Sequence, residues 1–405
     1  MLQTRRFLLT GGAALFCGGV SSSLVADAWG KTRGRAATAA KQASADAPPP
    51  APATTPVGPV ETSARWACIL DYSSGAPLLE KNADERMPPS SLTKMMTAYV
   101  TFGMLRTGRL KLDQTLPVSE RAWRMQGSRM FLPLGQSVPV QDLIQGMVIQ
   151  SGNDACIVLA EGIASSEEQF VALMNETAAR LGLSNSHFMN ATGWPAEGHY
   201  MSARDVAYLA LRLIHDFPEY YHFFSEKEFF YNNIRQENRN SLVVKGLADG
   251  LKTGHTDAGG FGLCASSERE GRRVIMAING LTSSGERGRE GERLMGWAFA
   301  NFETAWVVHK GDIVEQAPVW MGAERTVALV AAQDLKLLLP HGWRNGTQLA
   351  LDYNSPLVAP VTQGQVVGRI TVSLPGGKQA QVPVEAASSV PALGLVGRAA
   401  RRLHL

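Results

Sequence analysis

Ser91-Leu92-Thr93-Lys94 sets a hydroxyl three residues before an amine, just ahead of the apolar run Met95–Val100. On a helix, positions i and i+3 share a face. A serine hydroxyl becomes a nucleophile only when a base takes its proton. A lysine can be that base where burial or a neighbouring cation lowers its pKa. A serine in the first turn also lies beside backbone N–H groups that the helix leaves unpaired, at the positive end of its dipole. The same residues would serve equally as an ordinary capped helix start, with Ser90 the better capping residue.

Two further stretches could complete a site. Ser151-Gly152-Asn153 interrupts two helical patterns, and its hydroxyl and amide could relay a proton and hold a substrate amide. Read alone, it is a helix-ending Ser-Gly turn with an Asn cap. Lys252-Thr253-Gly254 offers a cation and a hydroxyl before a glycine, which lets a substrate carboxylate approach a strand edge closely. Read alone, it is an exposed lysine at a turn. Arg106-Thr107-Gly108 shows how common such a tripeptide is; there Gly108 reads as a helix C-cap. Together the three are more specific: each of S-x-x-K, S-x-N and K-T-G occurs once in the chain, in that order.

These motifs, with "FMNATGW", "HYMSARDVAYLA", "NRNSL", "DGLKTGHTDAGGFGLCAS" and "APVWMG", resemble the serine-type D-alanyl-D-alanine carboxypeptidases, the low-molecular-mass penicillin-binding proteins, over about 64–388. The resemblance implies an α/β (α+β) domain of the penicillin-binding transpeptidase and β-lactamase type, followed by a small all-β domain. It implies a hydrolase of the cell wall that removes the terminal D-Ala of peptidoglycan stem peptides and is acylated by β-lactams. Ser91 would be the nucleophile, Lys94 its base, and Ser151 and Asn153 the cleft lining, with Ser151 in the proton relay. Lys252, Thr253 and Gly254 would face the substrate carboxylate. The backbone N–H groups of Ser91 and His255 would form the oxyanion hole. Arg239 would anchor the cleft, and Arg287 and Arg289 are further carboxylate partners between which the spacing does not choose. The side chains of His199 and His255 read as structural. No E-x-x-L-N pattern lies between Ser151 and Lys252, which argues against a class A β-lactamase. A D,D-endopeptidase uses the same residues, and a non-catalytic wall-binding scaffold is the remaining alternative.

Several elements must position these residues. Ala67–Tyr72 and Ala76–Glu80 read as a hairpin around Ser73-Ser74-Gly75. Helical patterns follow from Ser91, over "VQDLIQGMVIQ", "NDACIVLAEGIA" and "SSEEQFVALMNETAARLGL", and over "SARDVAYLALRLIHDF" with Ser202 as N-cap. Gly262–Ala265 and Arg273–Ile278 read as strands, and "GERLMGWAFANFETAW" as a closing helix. A hairpin, helices and returning strands predict a sheet with helices on its faces. From 309 to 388 short alternating runs, Leu349/Leu351 and Ile370/Val372/Leu374 among them, predict a separate β domain punctuated by Pro340-His341-Gly342, Asn345-Gly346 and Pro375-Gly376-Gly377.

The ends carry addresses. Residues 1–28 pair Arg5-Arg6 with an apolar run and Ala26-Asp27-Ala28, an export signal with twin-arginine character; a retained anchor is the alternative. Residues 29–63 read as a disordered Ala/Pro-rich tether. The tail 389–405 alternates apolar residues with Arg398, Arg401 and Arg402, fitting a short amphipathic helix on an anionic membrane surface. These readings put the protein outside the cytoplasmic membrane, in the periplasm. The 405 residues carry a net charge of +3, with no dense basic stripe for nucleic acid. No metal-ligand spacing or nucleotide fingerprint implies a metal or cofactor. Cys68, Cys156 and Cys264 read as buried thiols, and Met95-Met96 as core.

Overall fold

The computed structural model describes residues 51–374 and 379–403. The expected signal at 1–28, the tether from 29 to 50 and the Pro375-Gly376-Gly377 turn lie outside the described residues. β1 (Trp66–Asp71) and β2 (Pro77–Lys81) form the hairpin, whose turn Asp71 holds by accepting bonds from Ser73 and Ser74. A 3₁₀ turn at Ser90–Thr93 leads into α1 (Lys94–Arg106). β3 (Thr115–Pro117), α2 (Glu120–Trp123) and β4 (Ser137–Pro139) lead to α3 (Val140–Val148), α4 (Asn153–Ala164), α5 (Glu167–Leu181) and α6 (Ala203–Asp216). β5 (Glu228–Tyr231), β6 (Ile234–Glu237) and α7 (Ser241–Val244) precede β7 (Gly250–Thr256), β8 (Gly260–Arg269), β9 (Arg272–Leu281) and α8 (Ser284–Asn301).

The main sheet runs β2-β1-β9-β8-β7, with every neighbour antiparallel. All six residues of β1 are buried, because both faces of the sheet are covered. Trp66, Cys68 and Leu70 join the core built with α1 and α3 to α6, while Ala67 and Ile69 join a second core with Leu294, Met295 and Ala298 of α8. The two-residue period of a strand thus divides one apolar run between two cores. In α1 every residue from Lys94 to Phe102 is buried, so Met95 and Met96 are core and the helix is enclosed on all sides. Ser202 caps α6 by accepting from the Asp205 N–H, and Gly108 follows α1 in the left-handed region. Cys68, Cys156 and Cys264 are buried free thiols.

Beyond α8, β10 (Phe302–Val308) pairs with β13 (Leu335–Pro340). β11 (Ile313–Trp320), β12 (Thr326–Ala331), β14 (Gln348–Tyr353), β15 (Leu357–Val358), β16 (Val366–Ser373) and β17 (Gln379–Ala386) make a sheet of order β14-β16-β17-β12-β11-β15. Its own Val-rich core includes Val327, Leu329, Val372 and Val384. A final helix, α9 (Leu395–Leu403), follows.

Four expectations need correction. Residues 51–63 are not a tether: Ala53 is fully buried, Thr54 and Glu80 exchange both backbone hydrogen bonds, and Thr62 bonds Glu290. The outer edge of β2 supplies partners that low-complexity composition did not reveal. The closing helix stops at Asn301, and Phe302 begins a strand, so the β-rich part starts before 309. Leu349 is exposed although it alternates with Leu351, since β14 is the outermost strand. Ser90 caps nothing; its hydroxyl donates to the Pro89 carbonyl, and its backbone is left-handed at φ +50°.

Candidate active site

The turn at Ser90–Thr93 and the first residue of α1 bring the opening pair together. Lys94 Nζ donates to Ser91 Oγ at 2.9 Å, to Asn153 Oδ1 at 2.8 Å and to the Thr192 carbonyl at 2.6 Å. These three acceptors use all three ammonium protons. Lys94 is fully buried, and burial pushes its pKa down from 10.5 to about 8. Asn153 opens α4 and is fixed in turn by donating from Nδ2 to the Gln126 carbonyl. Just before it, Ser151 sits at φ +67°, with a buried Oγ that has no hydrogen-bond partner among the described residues. Asp154, also buried, accepts from the N–H groups of Met130, Leu132 and Ala155, which ties the loop before β4 to the start of α4.

β7 is the edge strand that carries Lys252-Thr253-Gly254. Lys252 is buried; burial, then the nearby Lys94, drives its pKa well below the ordinary value. A Cβ on Gly254 would stand 2.1 Å from Ser90 Oγ and 3.2 Å from the Ser91 nitrogen. On the other side, a Cβ on Gly193 would stand 1.8 Å from the Ser90 carbonyl oxygen and 3.0 Å from the same nitrogen. The Ser90–Ser91 backbone is therefore clasped between two glycines, at the turn where helix N–H groups lack intrahelical partners.

Gly193 belongs to a loop organised by Asn190, whose Oδ1 accepts from the N–H groups of Thr192, Gly193 and Trp194 and from the Thr192 hydroxyl. Buried His199 supports the turn from behind. Its Nδ1 accepts from the Met189 N–H, so Nε2 carries the proton and donates to Thr93 Oγ1 at 2.8 Å. Burial lowers its pKa from 6.5 to about 4, so the ring stays neutral. The His255 ring is exposed and stacks on Phe261 at 3.9 Å.

Ser91, Ser151, Thr253, Gly254, His255 and Arg239 all line one open cavity of about 730 Å³. Asn153 lines an adjoining cavity that also reaches Ser91, and buried Lys94 bonds both residues. Arg239 donates to Ser128 Oγ at 2.6 Å, and Arg287 donates to the Arg239 carbonyl at 3.3 Å. Partial burial, then Arg239, lowers the Arg287 pKa to about 10. Arg289 lines the same cavity but is exposed at its rim. The expected residues thus converge. Sequence reasoning did not single out Ser128, the Thr192 carbonyl, Gly193 or Asp154. Only Asp154 carried a usable signal, an acid in the first turn of a helix.

Residues 52–282 match the model of the D-alanyl-D-alanine carboxypeptidase family, and 302–392 match the penicillin-binding protein 5 C-terminal domain. The chain is 40% identical over 344 residues to the D-alanyl-D-alanine carboxypeptidase DacC of Escherichia coli (strain K12), covering 83% of this chain and 86% of the relative. It is similar to the crystal structure of the D-alanyl-D-alanine carboxypeptidase DacD from Francisella tularensis, with TM-score 0.70 and 31% identity, covering 82% of this chain and 95% of that one. It is also similar to penicillin-binding protein D2 from Listeria monocytogenes in the ampicillin-bound form, with TM-score 0.55 and 29% identity, covering 59% of this chain and 98% of that one. On this agreement of motifs, fold and relatives, the chain belongs to the D-alanyl-D-alanine carboxypeptidase family of serine hydrolases, with a penicillin-binding protein 5 C-terminal domain after its catalytic part.

Proposed function

We propose that this serine D-alanyl-D-alanine carboxypeptidase works through an acyl-enzyme on Ser91, with neutral Lys94 as the base. One observation carries the reading. Of the three atoms bonded to Lys94 Nζ, the Asn153 and Thr192 oxygens are carbonyls with no proton to give. When Lys94 loses a proton, its lone pair can accept only from the Ser91 hydroxyl, 2.9 Å away. Deprotonation therefore reverses that bond and readies Ser91 Oγ for attack.

The rest of the cleft supports the cycle. Ser91 Oγ adds to the penultimate D-Ala carbonyl of a stem peptide while Lys94 takes its proton. The oxyanion lies against the Ser91 and His255 N–H groups, each donor of this kind being worth roughly 3–4 kcal/mol. The terminal carboxylate meets Thr253, Lys252 and the Arg239 and Arg287 cations, and its arrival offsets the burial and cationic neighbours that lower the Lys252 pKa. The C–N bond breaks, a proton passes to the leaving nitrogen by way of Ser151 Oγ, and D-Ala departs. Water then hydrolyses the ester. A β-lactam carbonyl enters by the same attack, with its ring nitrogen as the leaving group.

Labelling with fluorescent penicillin tests this. Wild type is expected to form a covalent adduct that Ser91→Ala abolishes, and to release D-Ala from a D-Ala-D-Ala peptide. Labelling that survives Ser91→Ala would sink the assignment.

Export is supported by the N-terminal signal pattern. Docking on the outer face of the membrane is supported by α9, where Leu395 and Val396 are 87% and 85% exposed beside Arg398. The full chain should co-sediment with anionic vesicles, and a chain ending at 388 should not; equal binding of the two would remove the tail's role.

A further inference from the structure

The two sides of Ser91 carry opposite charge. The cavity of about 730 Å³ is lined by four cations, Arg239, Lys245, Arg287 and Arg289, and, among the described residues, by no carboxylate. The adjoining cavity of about 300 Å³, also reaching Ser91, has Asp257 and no lysine or arginine in its lining. If Thr253, Arg239 and Arg287 receive the substrate's terminal carboxylate, the cationic side receives the leaving residue. A D-Ala leaving residue brings one carboxylate and a methyl group. The inner arginines and Lys252 already meet that carboxylate, so the outer cations are surplus to it.

Arg289 is the surplus cation best placed to act. Lys245 is engaged, 2.7 Å from Glu292. Arg289 makes no ion pair among the described residues, and it projects from the second turn of α8 into the cavity lining. Glu286, which feels the Arg289 charge, turns its Oε2 to the N–H and hydroxyl of Thr282 and stays out of the lining. A carboxylate on a longer leaving residue would therefore find at the rim a guanidinium with no competing acid in the cavity.

We propose that Arg289 makes the leaving-residue side of the cleft selective for C-terminal D-residues whose side chains carry a second carboxylate. This rests on the Ser91 reading given above. The bond chemistry is unchanged: the Ser91 O–C bond forms, the C–N bond to the leaving residue breaks, and its nitrogen gains a proton. Only the departing amino acid differs, an acidic D-residue in place of D-Ala.

The test compares N-acyl peptides ending in D-Ala-D-Ala, D-Ala-D-Glu and D-Ala-D-Gln on the full chain, by kcat/KM for release of the terminal residue. D-Gln matches D-Glu in size without its charge. Wild type should prefer D-Glu over D-Gln by about fivefold at low salt, the yield of one exposed ion pair. The preference should shrink with added salt. Arg289→Gln should bring the ratio to about one, and Arg289→Lys should keep most of it. A wild-type ratio of one with D-Ala still released, or a ratio that Arg289→Gln leaves intact, overturns the inference alone. No release from any peptide, together with no penicillin adduct at Ser91, overturns the Ser91 reading and this inference with it.

Discussion

Gly193 approaches Ser90 so closely that a β-carbon on the glycine would lie 1.8 Å from the serine carbonyl oxygen. Backbone meets backbone there, so no flexible side chain can give way. Gly193→Ala also forces alanine to φ +84°. Overpacking of about 1–3 kcal/mol adds to about 1–2 kcal/mol for the left-handed conformation. Gly75→Ala is the control, since it shares a positive φ but has nothing within 4 Å. Thermal unfolding should fall much further for Gly193→Ala, and penicillin acylation should drop only in that variant. Equal acylation of the two would show that the clasp around Ser90–Ser91 is dispensable.

On the proposed mechanism the neutral amine of Lys94 is the active form, so acylation should follow its ionisation. The rate should climb about tenfold per pH unit below the pKa of about 8 and level off above it. Lys94→Arg keeps the charge but supplies no base, and should lower acylation by about 10²–10⁴-fold. Stopped-flow labelling across pH 5.5–9.5 reads both effects. A flat profile in the wild type would remove Lys94 from the proton transfer.

His199 links the fold to acid. Its folded pKa of about 4 lies below the ordinary 6.5, so the unfolded chain binds the proton more readily. The stability this neutral ring supports is complete above pH 6.5 and is lost as pH falls from there towards 4, by up to about 3 kcal/mol. Urea unfolding at pH 7, 5.5 and 4.5 should show the decline in wild type and a shallower one in His199→Gln. Parallel curves would rule out His199 as the titrating group.

Asn190 holds the loop that presents the Thr192 carbonyl to Lys94. Asn190→Ala removes the acceptor of three backbone N–H groups and should slow acylation by about tenfold or more, since each such bond contributes about 1 kcal/mol. Asn190→Asp keeps the acceptor and should recover most of the rate. Hydrogen exchange at Thr192–Trp194 should rise in the alanine variant only; unchanged exchange would place the loop's order elsewhere.

The convergence of the motif residues was legible because their spacing is local: an i, i+3 pair, a helix start and a strand tripeptide. The capping of Ser202 and the burial of Met95 and Met96 were legible for the same reason. What escaped depends on long-range closure. Ala53 and Thr54 look like tether until the edge of β2 stands beside them. Phe302–Trp306 continues a helical pattern until β13 offers a partner. The Thr192 carbonyl carries no side-chain signature at all, and Gly193 matters only through its distance from Ser90. Ser90 looked like a cap from its residue type, but its left-handed backbone points its hydroxyl back to Pro89.

The two margins of the main sheet are treated unequally. Beside β2 the chain lays residues 53–60, and Thr54 closes that margin with a reciprocal pair of hydrogen bonds. Beside β7 no strand is laid among the described residues. A sheet margin left open is a template on which any extended polypeptide can polymerise. The enzyme therefore accepts a standing risk of self-association at the margin that carries Lys252-Thr253-Gly254, where the proposed mechanism admits the substrate. An occupied cleft would blunt that margin, so resistance to aggregation should rise with the fraction of enzyme held as acyl adduct.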